Sequence, residues 1–188
     1  MLRSLTVLFL LVLATSASAE FDYDFFEVTY AEVEFDDIDV DGDGLGIGGS
    51  YSLNEDVFVF GSYQGADLDF GIDASTFTVG VGYHTGVSEV VDLVANVSYQ
   101  FVEIDIPGFG DEDDDGFGLG VGLRYAAARN LELSAGINYV DLGDGGDDTT
   151  LSAGALYNFT DAFTAGVGTS FGDDVDAIAL IARLYFGR

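Results

Sequence analysis

The stretch "GFGLGVGLRY", residues 116–125, decides how this chain folds. Phe117, Leu119, Val121, Leu123 and Tyr125 occupy every second position, and Gly116, Gly118, Gly120, Gly122 and Arg124 fill the positions between them. A period of two belongs to a strand, whose successive side chains point to opposite faces. One face here is large and apolar; the other is nearly bare. The division recurs in "GLGIGGSYSL" (44–53), where Leu45, Ile47, Tyr51 and Leu53 oppose Gly44, Gly46, Gly48, Ser50 and Ser52. "TFTVGVGYH" (76–84) and "DLVANVSYQF" (92–101) repeat the scheme.

Extended along the chain, this periodicity predicts ten strands, at about 24–36, 44–53, 56–65, 75–84, 90–103, 116–126, 130–141, 149–159, 162–171 and 176–187. No segment carries a helical period. The breaks between strands alternate in character. "DDIDVDGD" (36–43), "GADLDFGID" (65–73), "EIDIPGFGDEDDD" (103–115), "LGDGGDD" (142–148) and "GDDVD" (172–176) are acidic and long enough to predict loops. "NE" (54–55), "TGVSE" (85–89), "AARN" (127–130) and "TDA" (160–162) predict tight turns. A meander with loops at one end and tight turns at the other is an up-and-down antiparallel β-barrel, of ten strands or, as the alternative, eight. Short periplasmic turns and longer outer loops characterise the transmembrane form, and an even strand count places both termini on the periplasmic side.

The rest of the composition fits export to a membrane. "MLRSLTVLFLLVLATSASA" (1–19) has cationic Arg3, an apolar run from Leu5 to Leu13 and an Ala17-Ser18-Ala19 cleavage pattern, which predicts a signal peptide and a barrel domain over 20–188. Its apolar run is too short to span a bilayer as an anchor. There is no Cys, hence no disulfide, and beyond residue 19 the only cations besides His84 are Arg124, Arg129, Arg183 and Arg188. With 34 acids against 5 basic residues, the net charge is −29, which excludes nucleic acid as a partner, because phosphates need a basic face. Cations or a cationic protein or host surface are the natural counterparts. Hydrophobic residues nevertheless make up 48% of the chain, so acids and apolar residues are segregated along it.

The large apolar face is expected to meet lipid, with Gly and Ser filling a narrow interior. Tyr51, Phe58, Tyr63, Tyr83, Tyr99, Phe117, Tyr125, Tyr139, Tyr157, Phe163, Phe171 and Phe186 are expected in girdles at the two interfaces. The alternative, a soluble lipocalin-like barrel with its apolar face inward, turns glycine toward water and gives the acids no reason to gather at one end.

On "GLGIGGSYSL", "FVFGSY", "TVGVGYH", "FGLGVGLRY" and the closing strand "AIALIARLYFGR", the chain resembles the small bacterial outer-membrane β-barrels, the group of the OmpA transmembrane domain, OmpX and Ail. The resemblance spans the whole chain after the signal peptide. It implies a Gram-negative outer membrane, contact with its lipid and lipopolysaccharide, and insertion by the barrel-assembly machinery. It also implies roles such as adhesion, envelope integrity or resistance to host factors. Relatives usually have eight strands, and their chains typically end on Phe, whereas Gly187 and Arg188 follow Phe186 here. A closed barrel leaves no edge to pair, which predicts a monomer.

Two sets of polar residues are candidate sites. Glu27, His84, Asp92, Arg124, Glu132 and Arg183 fall on inward positions near the turn end, so that Arg124 meets Glu132 and His84 meets Asp92 across hairpins, with Glu27 and Arg183 on strands that closure makes neighbours. They form either a salt-bridged internal plug, the favoured reading, or a gate across a narrow pore for small solutes or cations. The alternation slips at Glu32 and Val33, which predicts a bulge. The second set begins in "DIDVDGDGLG" (37–46), whose Asp37, Asp39, Asp41 and Gly42 match the front of an EF-hand loop. The bidentate Glu required at the twelfth position is Gly48, and no helices flank it, which excludes an EF-hand. Asp37, Asp39, Asp41 and Asp43, with Asp111, Asp113 and Asp115, remain candidates for loose Ca²⁺ or Mg²⁺ binding on a diffuse acidic rim; no tightly held cofactor is expected. An enzyme is not expected either. Cys is absent, the one His lies at the turn end rather than the outer rim where barrel proteases and acyltransferases carry theirs, and the carboxylates lie on glycine-rich segments.

Overall fold

In the computed structural model, which describes residues 21–35, 40–108, 110–173 and 175–186, the chain is a closed barrel of ten antiparallel strands. They are β1 (Phe25–Phe35), β2 (Val40–Ser52), β3 (Val57–Leu68), β4 (Ile72–Ser88), β5 (Val91–Ile106), β6 (Gly110–Ala128), β7 (Leu131–Asp141), β8 (Asp147–Asn158), β9 (Phe163–Phe171) and β10 (Val175–Tyr185). Each pairs with its sequence neighbours, and β1 closes on β10 with Phe25 opposite Tyr185 and Phe35 opposite Val175. Closure satisfies the backbone of every strand on both sides, the condition for strands to cross a bilayer. The expected signal peptide, 1–19, and the expected ligands Asp37 and Asp39 lie outside the described residues.

The alternation predicted for the middle of the chain holds around the wall. Leu119 and Val121 are 61% and 52% exposed on the outside, while the alternating Gly118 and Gly120 are buried. The inward glycines admit larger groups from neighbouring strands. A Cβ on Gly82 would lie 2.0 Å from the ring of Phe58, its register partner, and one on Gly80 would lie 2.4 Å from the ring of Phe60. Phe58 was expected in a girdle, but it stands on the inward phase of β3, buried over Gly82. The other aromatics expected in the girdles face outward, and all but half-buried Tyr125 are exposed.

The tight turns are built by side chains. Asn54 Oδ1 accepts from the amides of Asp56 and Val57 at 2.9 and 3.0 Å, and Thr160 Oγ1 accepts from those of Ala162 and Phe163 at 3.3 and 2.9 Å.

At the opposite end the structure corrects the expected acidic loops. Strands run through 40–43 and through most of 65–73 and 103–115, whereas 142–146 and 172–173 lie between strands as expected. β3 continues to Leu68 and β4 starts at Ile72, leaving only Asp69–Gly71 as a turn, with Phe70 (φ 63°) and Gly71 (φ 74°) in the left-handed region. β5 continues to Ile106 and β6 starts at Gly110. Asp41, Asp43, Asp111, Asp113 and Asp115 therefore stand on paired strands. The wall is tallest here, with 17, 16 and 19 residues in β4, β5 and β6 against 9 in β9. The expected slip at Glu32 and Val33 is also absent: β1 pairs without interruption on both sides. The register shifts instead at Gly86/Ser88 and Ala126/Ala128, beside tight turns.

Candidate functional site

Two charged regions occupy the ends of this barrel, one inside and one outside. The inner one lies at the end that carries both described chain ends. Hairpin register puts Asp92 of β5 opposite Arg124 of β6, both inward, and Glu132 follows on β7. Arg124 makes a bidentate pair with Glu132, Nε to Oε1 at 2.7 Å and Nη2 to Oε2 at 2.9 Å. His84 Nδ1 lies 3.0 Å from Asp92 Oδ2. Across the closing seam, Arg183 Nε donates to Glu27 Oε2 at 2.8 Å, and its guanidinium lies 3.9 Å from the centre of the Phe25 ring. All six inward candidates thus meet in three pairs near one level of the lumen. Such pairing is what low dielectric demands of buried charge.

The chain's own N-terminal residues complete this floor, a feature that the strand pattern did not reveal. Residues 21–24 precede β1 and fold across the lumen mouth. Tyr23 is 3% exposed, stacks on His84 (4.0 Å between centroids) and on Phe58 (4.6 Å), and donates its hydroxyl to Asp92 Oδ2 at 2.8 Å. The Arg124 guanidinium lies 4.6 Å from the Tyr23 ring centre and donates from Nη1 to the Asp22 carbonyl at 3.1 Å. The only sequence signal for this was a Tyr between two Asp just ahead of the first strand. Above the floor is a cavity of about 410 Å³, where Ser62, Asn96, Ser134, Asn138 and Ser152 stand among glycines and the apolar Phe58, Phe60, Val94 and Leu156.

The outer region is a collar of carboxylates. Register places Glu32, Asp43, Asp67, Asp73, Asp105 and Asp111 directly opposite one another in succession from β1 to β6. All six are on the outward phase, in line with exposed Tyr30, Leu45, Tyr63 and Phe117 below them. Asp113 faces Glu103, and Glu34 lies between Asp41 and Asp176. Asp115 is opposite Phe101. Like charges directly opposite repel. The Asp73 carboxyl, above the apolar band, is accordingly raised above the ordinary carboxylate range, first by a hydrogen bond shared with Asp67, then by desolvation and the charges of Asp67 and Asp105. The candidate cation ligands are spread around the circumference, Asp43 on β2 and Asp111 on β6 being four strands apart on the ladder. Among the described residues no group of three or more His, Asp or Glu converges as a metal-ligand set.

A closed strand barrel with an apolar outer band, a polar and largely glycine-lined interior and aromatics at the band edges is the architecture of outer-membrane β-barrels. The comparisons with known proteins agree. Residues 5–171 match the model of the outer membrane protein beta-barrel domain, and the chain belongs to that family. Among solved structures, the NanC porin is similar with a TM-score of 0.51 at 7% identity, covering 85% of this chain and 99% of that one. Neisserial surface protein A (TM-score 0.43, 18% identity, 86% and 95% covered) and Ail of Yersinia pestis (0.41, 17%, 86% and 96%) are also similar. At these identities the likeness is one of fold. No curated protein sequence matches the chain.

Proposed function

We propose that this protein is a structural or surface-interaction barrel of a Gram-negative outer membrane, holding a rigid acidic collar above the lipid. The observation that carries this is the unbroken ladder of six outward carboxylates from Glu32 to Asp111. Carboxylates on paired strands keep a fixed spacing and cannot relax their repulsion as a loop would. A diffuse atmosphere of divalent cations offsets it, and the same field draws in a cationic partner or host surface. The ions are screening ions rather than a chelated centre, and lipopolysaccharide phosphates at the same height share them. Closure of β1 on β10 supports a monomer. No catalytic role is assigned, because His84 is stacked under Tyr23 and bonded to Asp92 in the floor.

The test is thermal unfolding of the refolded chain in detergent against Mg²⁺ concentration. The proposal expects a gradual, unsaturated rise in the melting temperature through the millimolar range, clearly reduced in an Asp67→Asn/Asp73→Asn/Asp105→Asn variant. A saturating rise that survives in that variant would sink it.

A second reading, a narrow gated pore, is favoured by one observation: a cavity of about 410 Å³ opens above the floor, and Ser62, Asn96, Ser134, Asn138 and Ser152 set hydroxyl and amide groups into its otherwise glycine-rich and apolar lining. The NanC protein, of similar shape, is called a porin. Steady ion current through planar bilayers, altered by substitution of Arg124 or Arg183, supports this reading; silence of every such variant excludes it.

A further inference from the structure

We propose that residues Phe21–Asp24 are a releasable latch that closes the periplasmic mouth of the lumen, with Tyr23 as its bolt. The proposal deepens the pore reading and rests on it for its functional meaning. Four residues reach the mouth before the first strand pair forms at Phe25, so no strand ladder holds them. They are held by a small set of contacts instead. Tyr23 supplies the hydroxyl bond to Asp92 and the stacks on His84 and Phe58; Asp22 offers its carbonyl to Arg124. Asp24 accepts the amide of Ser52 at its side chain and that of Phe186 at its carbonyl. The Phe21 ring also lies 5.0 Å from the Arg124 guanidinium. A segment held by side-chain contacts outside the strand ladder opens at lower free energy than the barrel unfolds.

What makes release reversible is the pair behind the bolt. Tyr23 contacts both Asp92 and Arg124, which are register partners on adjacent strands and both inward. Directly opposite residues have Cβ atoms about 5 Å apart, within reach of an Arg–carboxylate bond. In the closed state Asp92 Oδ1 has no hydrogen-bond partner among the described residues, although it is buried. When residues 21–24 withdraw, Arg124 Nη1 loses the Asp22 carbonyl and can turn toward that oxygen, while Nε and Nη2 stay on Glu132. Opening therefore leaves none of Asp92, Arg124 and Glu132 stranded in low dielectric, the outcome that would otherwise forbid it. Closed, the floor reads Tyr23–Asp92 and Arg124–Glu132; open, it reads Asp92–Arg124–Glu132 below a cavity that is continuous with the periplasm.

The experiment is potassium chloride conductance of the refolded chain in planar bilayers, with Tyr23→Phe and Tyr23→Ala variants and an Arg124→Ala/Glu132→Ala double variant as a control for the pore itself. Wild type is expected to be mostly closed. Tyr23→Phe, which keeps the stacks and loses the hydroxyl bond, is expected to raise the open fraction about fivefold. Tyr23→Ala, which loses both, is expected to raise it about thirtyfold. If Tyr23→Ala matches wild type while the double variant conducts, the pore stands and the latch is wrong. If nothing conducts, the pore reading fails and amide hydrogen exchange decides the latch. Exchange at Ser52 and in residues 21–24 that is tenfold or more faster in Tyr23→Ala supports it, and unchanged exchange overturns it.

Discussion

Val121 and Asp111 stand ten positions apart on β6, and both face outward. Around Val121 the outward positions are Leu119, Leu123 and Tyr125, against hydrocarbon. Around Asp111 they are Asp113 and Asp115, with Glu103 and Asp105 on the next strand. The phase never changes along the strand; the chemistry of each face does. In β1–β5 the interior inverts as well. Gly46, Gly48, Ser62, Gly80 and Ser98 line it at the level of the membrane, whereas Val33, Val40, Leu68, Ile72, Val102 and Ile106 turn inward at the collar. The membrane band is built inside out, and on that side the collar is built like a water-soluble barrel. Period two decides which residues share a face, and the surrounding solvent decides which face is apolar.

The lumen floor and the collar make a second contrast, since both are rich in carboxylates and only the floor pairs them with guanidinium groups. Removing a carboxylate should therefore act with opposite sign at the two ends. Glu132→Leu strips the buried Arg124 of its bidentate partner and is expected to destabilise the barrel by about 3–5 kcal/mol in urea unfolding from detergent. A variant as stable as wild type would mean that the floor is wet enough to solvate the charge.

The next largest effect separates the band from the collar. Val121→Arg, outward in the middle of the band, is expected to cost about 2–4 kcal/mol in lipid vesicles. Asp111→Arg, on the same face of the same strand, is expected to cost nothing and to raise the melting temperature by breaking the ladder. Equal losses at both positions would put lipid at the height of the collar.

Smaller again is overpacking of the interior. Gly82→Val would drive methyl groups into the Phe58 ring and is expected to cost about 1–3 kcal/mol, visible as a lower unfolding midpoint. Gly86→Val, where a Cβ would meet nothing closer than 3.9 Å, is expected to be nearly silent.

The finest effect is electrostatic. Asp73 holds its proton more tightly in the native barrel than in the unfolded chain, because Asp67 and Asp105 flank it. The native state therefore binds more protons through the carboxylate range, and the contribution of this site to stability falls as pH rises through that range. Asp73→Asn is expected to raise the melting temperature at neutral pH and to flatten this dependence. A rise in stability with pH from this site would contradict the ladder.

Much of this was legible in the residues. The ten strands and their order follow from period two, because each apolar-and-glycine segment is long enough to cross and the breaks between them include tight turns such as those built by Asn54 and Thr160. The placing of Arg124 near Glu132 and His84 near Asp92 also followed, since hairpin symmetry about a short turn fixes which inward positions meet. The collar was misread as loops because loops were sought where acids and glycines cluster. The alternation in "EIDI" and "DLD" was present all along, with acids in place of apolar residues on the outward phase. Phe58 was misassigned because its position near a strand end suggested a girdle, while its phase put it inside.

By itself, then, the sequence determined the barrel and the two-faced wall and favoured ten strands over eight, because those depend on local periodicity and on turns between neighbours; closure of β1 on β10 fixed the number at ten. The tertiary structure alone decided the rest. It lined six carboxylates into one ladder, since that alignment depends on register accumulated across six strands. It also carried Tyr23 to Asp92, 69 residues away in the chain, because only the closed barrel brings the segment ahead of β1 under the floor that β4–β7 provide.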